Sequence, residues 1–281
     1  MVRVRWDEDI HETLGVIELS QEAAAAALQN TRATATVTRS DVIRFLKSLD
    51  DQSVDLIVTD PAYSGMNRHL ALGRGRIVGV YNDRGDGAKW FDEFEDTEEN
   101  YDAFLRECQR VLRANRHIYI MFDSFSLLTL GEHVRRFFDV KNIIVWDKTK
   151  IGMGHYFRRQ SEFIVFASKG KRSIARRDIP DIWRIARLHR APYPTQKPVE
   201  VFEAMIAASR NGEDEFVVCD PFAGSGSAAI AALRQGCSFV GCDVAEAAVS
   251  LAQNRIATYL ATGADPAQPS SAIAPDTKVW W

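Results

Sequence analysis

Cysteine is scarce: the 281-residue chain has only Cys108, Cys219, Cys237 and Cys242. So small a set excludes a disulfide scaffold and suggests thiols in a reducing interior. The six histidines show no metal-ligand spacing, and Cys237 with Cys242 makes no zinc pattern, so no metal is expected. No apolar run approaches the roughly 18 residues that a membrane span requires. The opening MVRVRWDEDI also lacks the apolar core of a signal peptide, which makes a cytoplasmic protein the expectation. There is no internal repeat, and no complete G-x-G-x-x-G loop of the kind that cradles a dinucleotide pyrophosphate.

What is present is an ordinary globular composition, 46% hydrophobic and 26% charged, with an uneven distribution of charge. Lys148 to Arg190 holds twelve Lys/Arg against Glu162, Asp178 and Asp181, a balance of +9 within a chain of net charge −3. Asp83 to Glu107 holds ten acids and three bases, a balance of −7. A basic block inside an acidic protein suits a localised polyanion-binding surface, although a solvated charged face reads the same way. Residues 1–38 read as an extension, with an Ala-rich helix from Glu18 to Gln29 and a polar TRATATVT stretch. Residues 262–281, rich in Ala, Pro and Ser, read as a flexible tail.

Between these ends strands and helices alternate. Val54 to Thr59 is a short apolar run suited to a buried parallel strand, and Thr97 to Leu112 has the apolar face of a helix. Strands are predicted at 117–122, 142–146, 163–167, 215–219 and 238–242, and helices at 199–209, 227–235 and 246–260. Such alternation predicts an α/β fold with a mainly parallel sheet covered by helices on both faces. Ligand sites then lie beyond the carboxyl ends of its strands.

One such end carries Asp220-Pro221-Phe222-Ala223-Gly224-Ser225-Gly226-Ser227, a glycine-rich turn between a strand and a helix. Sixteen residues after Ser227, at the end of the next strand, stands Asp243, an acid placed to accept hydrogen bonds from two ribose hydroxyls. An acid at 220 is wrong for a pyrophosphate and right for a cationic nucleoside. A second strand, VDLIVT, runs directly into Asp60-Pro61-Ala62-Tyr63.

Asp60 to Tyr63 resembles the (D/N/S)-P-P-(Y/F) motif of amino-group DNA methyltransferases, and residues 217–227 resemble that family's D-P-F-x-G-S-G cofactor motif. The catalytic motif comes first, which is the permuted order of the β class. Ile144 to Lys148 with Gly152, Arg158 and Glu162 to Phe166, Tyr193 to Pro198 (YPTQKP), and Ser40-Asp41 match further family elements in order, so the resemblance spans roughly residues 38–260. It implies a Rossmann-like methyltransferase domain over 39–261. It also implies S-adenosylmethionine as cofactor, held by Asp41, Asp60, Thr195, Lys197, Asp220, Phe222, Gly224, Ser225, Gly226 and Asp243.

In that family the acid of the motif and the main-chain carbonyl of the next residue accept the two N–H groups of a base amine. That assigns Asp60 and Pro61 to the amine and Tyr63 to stacking on a flipped base. Asp at position 60 favours adenine N6; cytosine N4, an RNA amine or a catalytically silent DNA-binding relative stay open. Ala62 departs from the usual second proline and should loosen the loop without removing the Pro61 carbonyl. The resemblance further implies duplex DNA as partner and admits a homodimer and a cognate restriction endonuclease. DNA contacts are expected from residues 169–190, with Lys171, Arg172, Arg176, Arg177, Arg184 and Arg187. An insertion at 64–91 adds Arg68, while Trp183 is expected to pack in the core.

Overall fold

The computed structural model describes residues 33–61, 97–152, 157–188, 191, 193 and 196–267. The predicted helix at 18–29, the insertion at 64–91, and Ala62, Tyr63, Arg68 and Thr195 lie outside them.

The strands are β1 (Ala35–Arg39), β2 (Val54–Thr59), β3 (Leu112–Phe122), β4 (Asp139–Asp147), β5 (Ser161–Lys169), β6 (Ile182–Arg184), β7 (Val217–Asp220) and β8 (Ser238–Asp243). The helices are α1 (Val42–Ser48), α2 (Glu98–Val111), α3 (Ser124–Phe137), α4 (Val199–Ser209), α5 (Ser227–Arg234) and α6 (Glu246–Thr262). One eight-stranded sheet runs in the order β1-β8-β7-β2-β3-β5-β4-β6. Every pairing is parallel except those of β5, which runs against β3 and β4.

Pleating splits the apolar side chains between two cores. Leu56, Val58, Tyr119 and Met121 pack with α4, α5 and α6 on one face. Ile57, Ile118, Ile120 and Phe122 pack with α1, α2 and α3 on the other. All six residues of β2 are buried, as its near-continuous apolar run requires. The one charge in that run, Asp55, is fully buried and bonded by Arg113 (2.7 Å), Arg116 (3.0 Å) and the Val217 N–H (3.0 Å). It ties β2 to β3 and β7 at the amino edge of the sheet.

From the central pair, β7 leads into α5 on one face and β2 continues toward α2 on the other. The connections therefore diverge, and a crevice opens between the carboxyl ends of β7 and β2.

Both expected boundaries move outward. The extension is expected over 1–38, yet β1 begins at Ala35 and pairs with β8; with only Val37 buried, this edge strand carries almost no apolar signal. The tail is expected over 262–281, yet Asp265 and Ala267 are buried and Arg255 grips Asp265 through two 2.7 Å bonds.

The expected recognition segment is also rearranged. Gly170 turns the chain at the amino edge, where its φ of +88° brings the backbone against Asn115. Residues 171–181 then cross one face of the sheet, bonding Ala175 N–H to Ala208 O (2.7 Å) and resting Ile174 and Ile179 on the core. They end in β6, which pairs with β4. The segment is a strap on the sheet, and Trp183 lies beneath it, 1% exposed, donating to Pro180 O.

Candidate active site

Six strands of like direction, the first five of them adjacent and β4 set apart by β5, end in an acid at the same edge: Asp41 after β1, Asp243 in β8, Asp220 in β7, Asp60 after β2, Asp123 after β3 and Asp147 in β4. Two of these cap helices. Asp41 caps α1 by accepting from Ile43 N–H (2.9 Å) and Arg44 N–H (3.1 Å), and Asp123 caps α3 through Phe125 N–H (2.7 Å). Asp243, Asp220 and Asp60 end the adjacent strands β8, β7 and β2 at the crevice, while Asp147 holds the turn after β4 through Thr149 N–H and Gln160, both at 2.8 Å.

The glycine-rich turn is built around Asp243. One of its oxygens accepts from Gly224 N–H and the other from Ala245 N–H, both at 2.9 Å, so the carboxylate is fixed in place by both backbone donors. Gly224 (φ +50°) and Gly226 (φ +79°) adopt left-handed backbone, and a Cβ on Gly226 would meet Ala252 at 3.0 Å. From behind, the buried Arg255 donates to Ser225 O (3.0 Å) and Ser227 Oγ (3.1 Å) while its other face holds Asp265. Ser40 N–H bonds to Asp243 O (3.1 Å), which places Asp41 beside this turn.

Asp220 lies under the turn, 2% exposed, accepting from Phe222 N–H at 3.0 Å. Burial, reinforced by the charges of Asp60 and Asp243, pushes its carboxyl up to about 7. The Phe222 ring sits edge-on to Phe104, 5.6 Å between centroids, fixing the outer side of the turn.

Asp60 stands across the crevice, with Pro61 buried behind it. Its Oδ2 accepts from Lys197 Nζ. Lys197 also faces Glu162 (3.7 Å), and Glu162 accepts from Lys148 (3.0 Å). Burial raises the Asp60 pKa; Lys197 pulls it back, while Glu162 and Asp123 push it further up. Burial alone would lower the Lys197 pKa, but its two acids reverse that and raise it. Glu162, although buried, is held below the usual carboxylate range by Lys197 and Lys148.

The fold thus gathers Asp41, Asp60, Lys197, Asp220, Phe222, Gly224, Ser225, Gly226 and Asp243 at one edge. Lys197 touches Asp60, whereas the resemblance implies a cofactor contact for it. Glu162 and Lys148 had no assigned role; both lie in a stretch matching the family, but nothing in their spacing signals a pair with residues 60 and 197. The donor set fits a cationic nucleoside: carboxylates in excess, a turn with no room for a Cβ at Gly226, and an acid anchored by two backbone N–H groups at the second strand end.

The expected DNA contacts scatter. Lys171 and Arg172 follow β5 at the amino edge, and Arg172 is engaged by Glu213 (2.5 Å) and Ser209 O. Its guanidinium is a structural tie at that edge, opposite the crevice, and Lys171 lies beside it. Arg176 pairs with Asp178 in the middle of the strap, and Arg177 is exposed next to it. Arg184 and Arg187 are exposed at the carboxyl edge, Arg184 within 3.8 Å of Asp147.

Comparison with known proteins decides what kind of crevice this is. The model of the DNA methylase family of N6 and N4 methyltransferases matches residues 54–254, which contain both Asp60 and the glycine-rich turn. The chain belongs to this DNA methylase family. Among its relatives, the Type II methyltransferase M2.DpnII of Streptococcus pneumoniae is 27% identical over 239 residues, covering 77% of this chain and 87% of that protein. The Type II methyltransferase M.HhaII of Haemophilus parahaemolyticus is 28% identical, covering 72% and 87%. The M1.HpyAVI–SAM complex shares the fold with a TM-score of 0.57 at 19% identity, covering 79% of this chain and all of that one. PvuII DNA methyltransferase, which is cytosine-N4-specific, also has a TM-score of 0.57, at 14% identity over 79% and 86% of the chains. The DNA methylase fold and the match to an amino-group methyltransferase thus agree with the expectation from the motifs. Among the described residues no helix is long and apolar enough to cross a membrane, and all four cysteines are buried thiols.

Proposed function

We propose that this DNA methylase transfers a methyl group from S-adenosylmethionine to the N6 amine of adenine within a specific duplex site, acting on a flipped base. The observation that carries it is the approach of Asp60 to the glycine-rich turn: motifs 160 residues apart in sequence lie at the carboxyl ends of paired strands β2 and β7.

When bound, S-adenosylmethionine supplies a methyl group on a positively charged sulfur. Asp243 and the turn 224–226 would hold its ribose side, with Asp41 nearby, and the carboxylates of the crevice favour its cationic centre. Thr195, on the YPTQKP element, completes this set. Asp60 accepts one N–H of the amine through Oδ1 while Lys197 occupies Oδ2, and the Pro61 carbonyl accepts the second N–H. Both contacts draw electron density toward a nitrogen whose lone pair is otherwise delocalised into the ring. Tyr63 stacks on the base, worth about 1–3 kcal/mol against a flipping cost of similar size. DNA approaches the carboxyl edge, where Arg184 and Arg187 contact phosphates together with Arg68; Arg176 and Arg177 flank this path. Relatives named Type II methyltransferases support a site-specific substrate and a companion endonuclease.

The test is methyl transfer from labelled S-adenosylmethionine to mixed-sequence duplex DNA, followed by nucleoside mass analysis. N6-methyladenine is expected. N4-methylcytosine instead would replace the adenine assignment, and methylated RNA alone would replace DNA as substrate.

A further inference from the structure

Four charged side chains converge on the recess from three separate parts of the chain. Lys148 and Glu162 come from the paired ends of β4 and β5, Lys197 from the approach to α4, and Asp60 from the end of β2. They alternate in sign: Lys148 to Glu162 at 3.0 Å, Glu162 to Lys197 at 3.7 Å, and Lys197 directly on Asp60. Each is recessed, with 12–29% of the three innermost side chains and 14% of Lys148 exposed.

Such a row is a weak stabilising device, because well-packed apolar residues of similar volume usually do as well or better. Its effect on Asp60 is specific. Burial and the nearby charges of Glu162 and Asp123 favour a protonated Asp60, which would turn the acceptor into a donor. Lys197 opposes that, and it leaves Oδ1 as the oxygen free of the ammonium. Glu162 holds Lys197 from the far side, and Lys148 keeps Glu162 charged.

We propose that Glu162 and Lys148 are positioning residues for methyl transfer: they fix Lys197 on one oxygen of Asp60 so that the other oxygen, ionised, faces the substrate amine. The inference rests on Asp60 being the amine acceptor. The row also explains why a lysine in the YPTQKP element points at the catalytic acid.

The charges facing Asp60 are Lys197 before α4, Glu162 on β5, Asp123 after β3 and Asp220 on β7, so single replacements should act with opposite signs. The experiment is a carbon-13 titration of the Asp60 carboxyl, its signal identified by loss in Asp60→Asn, alongside the pH profile of turnover. Lys197→Met should move the Asp60 titration upward by about one to three pH units. Glu162→Gln should move it downward, with the acid limb of turnover following in each case. In Glu162→Gln the rate should fall while the KM for cofactor stays near that of the wild type, and Glu162→Asp should recover part of the rate. Shifts of the same sign, no shifts, or shifts in the titration that turnover ignores would each overturn the proposal. If Lys197→Met does not fold, Lys197→Gln, which also removes the charge, carries the same comparison with Glu162→Gln. A wild-type enzyme that methylates nothing defeats the function itself, and the titration, which needs no turnover, separates the two failures.

Discussion

Replacing Asp220 by asparagine should make the unliganded protein more stable at high pH and poorer at holding its cofactor. The carboxyl is raised to about 7 in the folded chain by burial and by Asp60 and Asp243, against 3.8 for the free side chain. A group whose folded pKa is raised contributes stability below its unfolded pKa and loses it as pH climbs through the folded value. The shift of about three units corresponds to roughly 4 kcal/mol, of which roughly 2.5 kcal/mol is lost between pH 5 and pH 9. The amide of Asp220→Asn retains an oxygen to accept from Phe222 N–H and has no charge to bury. The variant should therefore match or trail the wild type at pH 5 and lead it at pH 9. The change in the difference between them amounts to roughly 5–10 °C in Tm at about 2–4 °C per kcal/mol. The same charge should favour the cationic cofactor, so wild-type affinity should tighten from pH 6 to pH 8 while that of Asp220→Asn stays flat. Differential scanning calorimetry across pH, with isothermal titration of S-adenosylmethionine, reads both. A stability difference that does not change with pH would show that burial of an uncompensated charge is not what raises this carboxyl.

Asp265→Ala should cost about 3–5 kcal/mol by stranding the buried Arg255, and should also loosen cofactor binding, since Arg255 holds Ser225 and Ser227; thermal unfolding and cofactor titration check it. His117, buried and bonded to Ser209 and the Arg172 carbonyl, is held near 4, mainly by burial. Its folded pKa lies below the unfolded value of 6.5, so its contribution is present above pH 6.5 and lost as pH falls toward 4. Urea unfolding at pH 7 and pH 4.5 should show roughly 2 kcal/mol more loss in the wild type than in His117→Gln. Replacing Arg184 and Arg187 by glutamine should weaken DNA binding and flatten its salt dependence by about one phosphate contact each, whereas Lys171→Gln should leave the slope unchanged.

The parts of the fold that sequence makes visible are those whose burial is one-sided or complete. VDLIVT announces a central strand because all six of its positions face a core, and α4 follows its apolar run from Val199 to Ser209. Strand β1 is hidden because an edge strand buries little, and β6 because three residues carry no period. Helix α3 is equally hard to read: SFSLLTLGEHVRRF carries Ser, Thr and a mid-helix glycine, and its exposed Phe125 and Leu128 blur the apolar face. At the site, the glycine-rich turn, Asp243 and Asp60 are legible because each ends an apolar strand. The Lys197–Asp60 contact joins residues 137 positions apart, and no local pattern encodes it. A count of Lys and Arg likewise does not show that Arg172 is matched by Glu213, at the sheet edge opposite the crevice.

The proposed role of Asp60 is to activate the amine at a crevice whose other wall binds the cofactor. The direct measurement is single-turnover methyl transfer to duplex DNA by the wild type and by Asp60→Ala, with the cofactor dissociation constant determined for both. The expected result is a loss of turnover of at least about 10²–10³-fold, the scale of removing one transition-state hydrogen bond, with cofactor affinity within about threefold. Turnover by Asp60→Ala at the wild-type rate would contradict it.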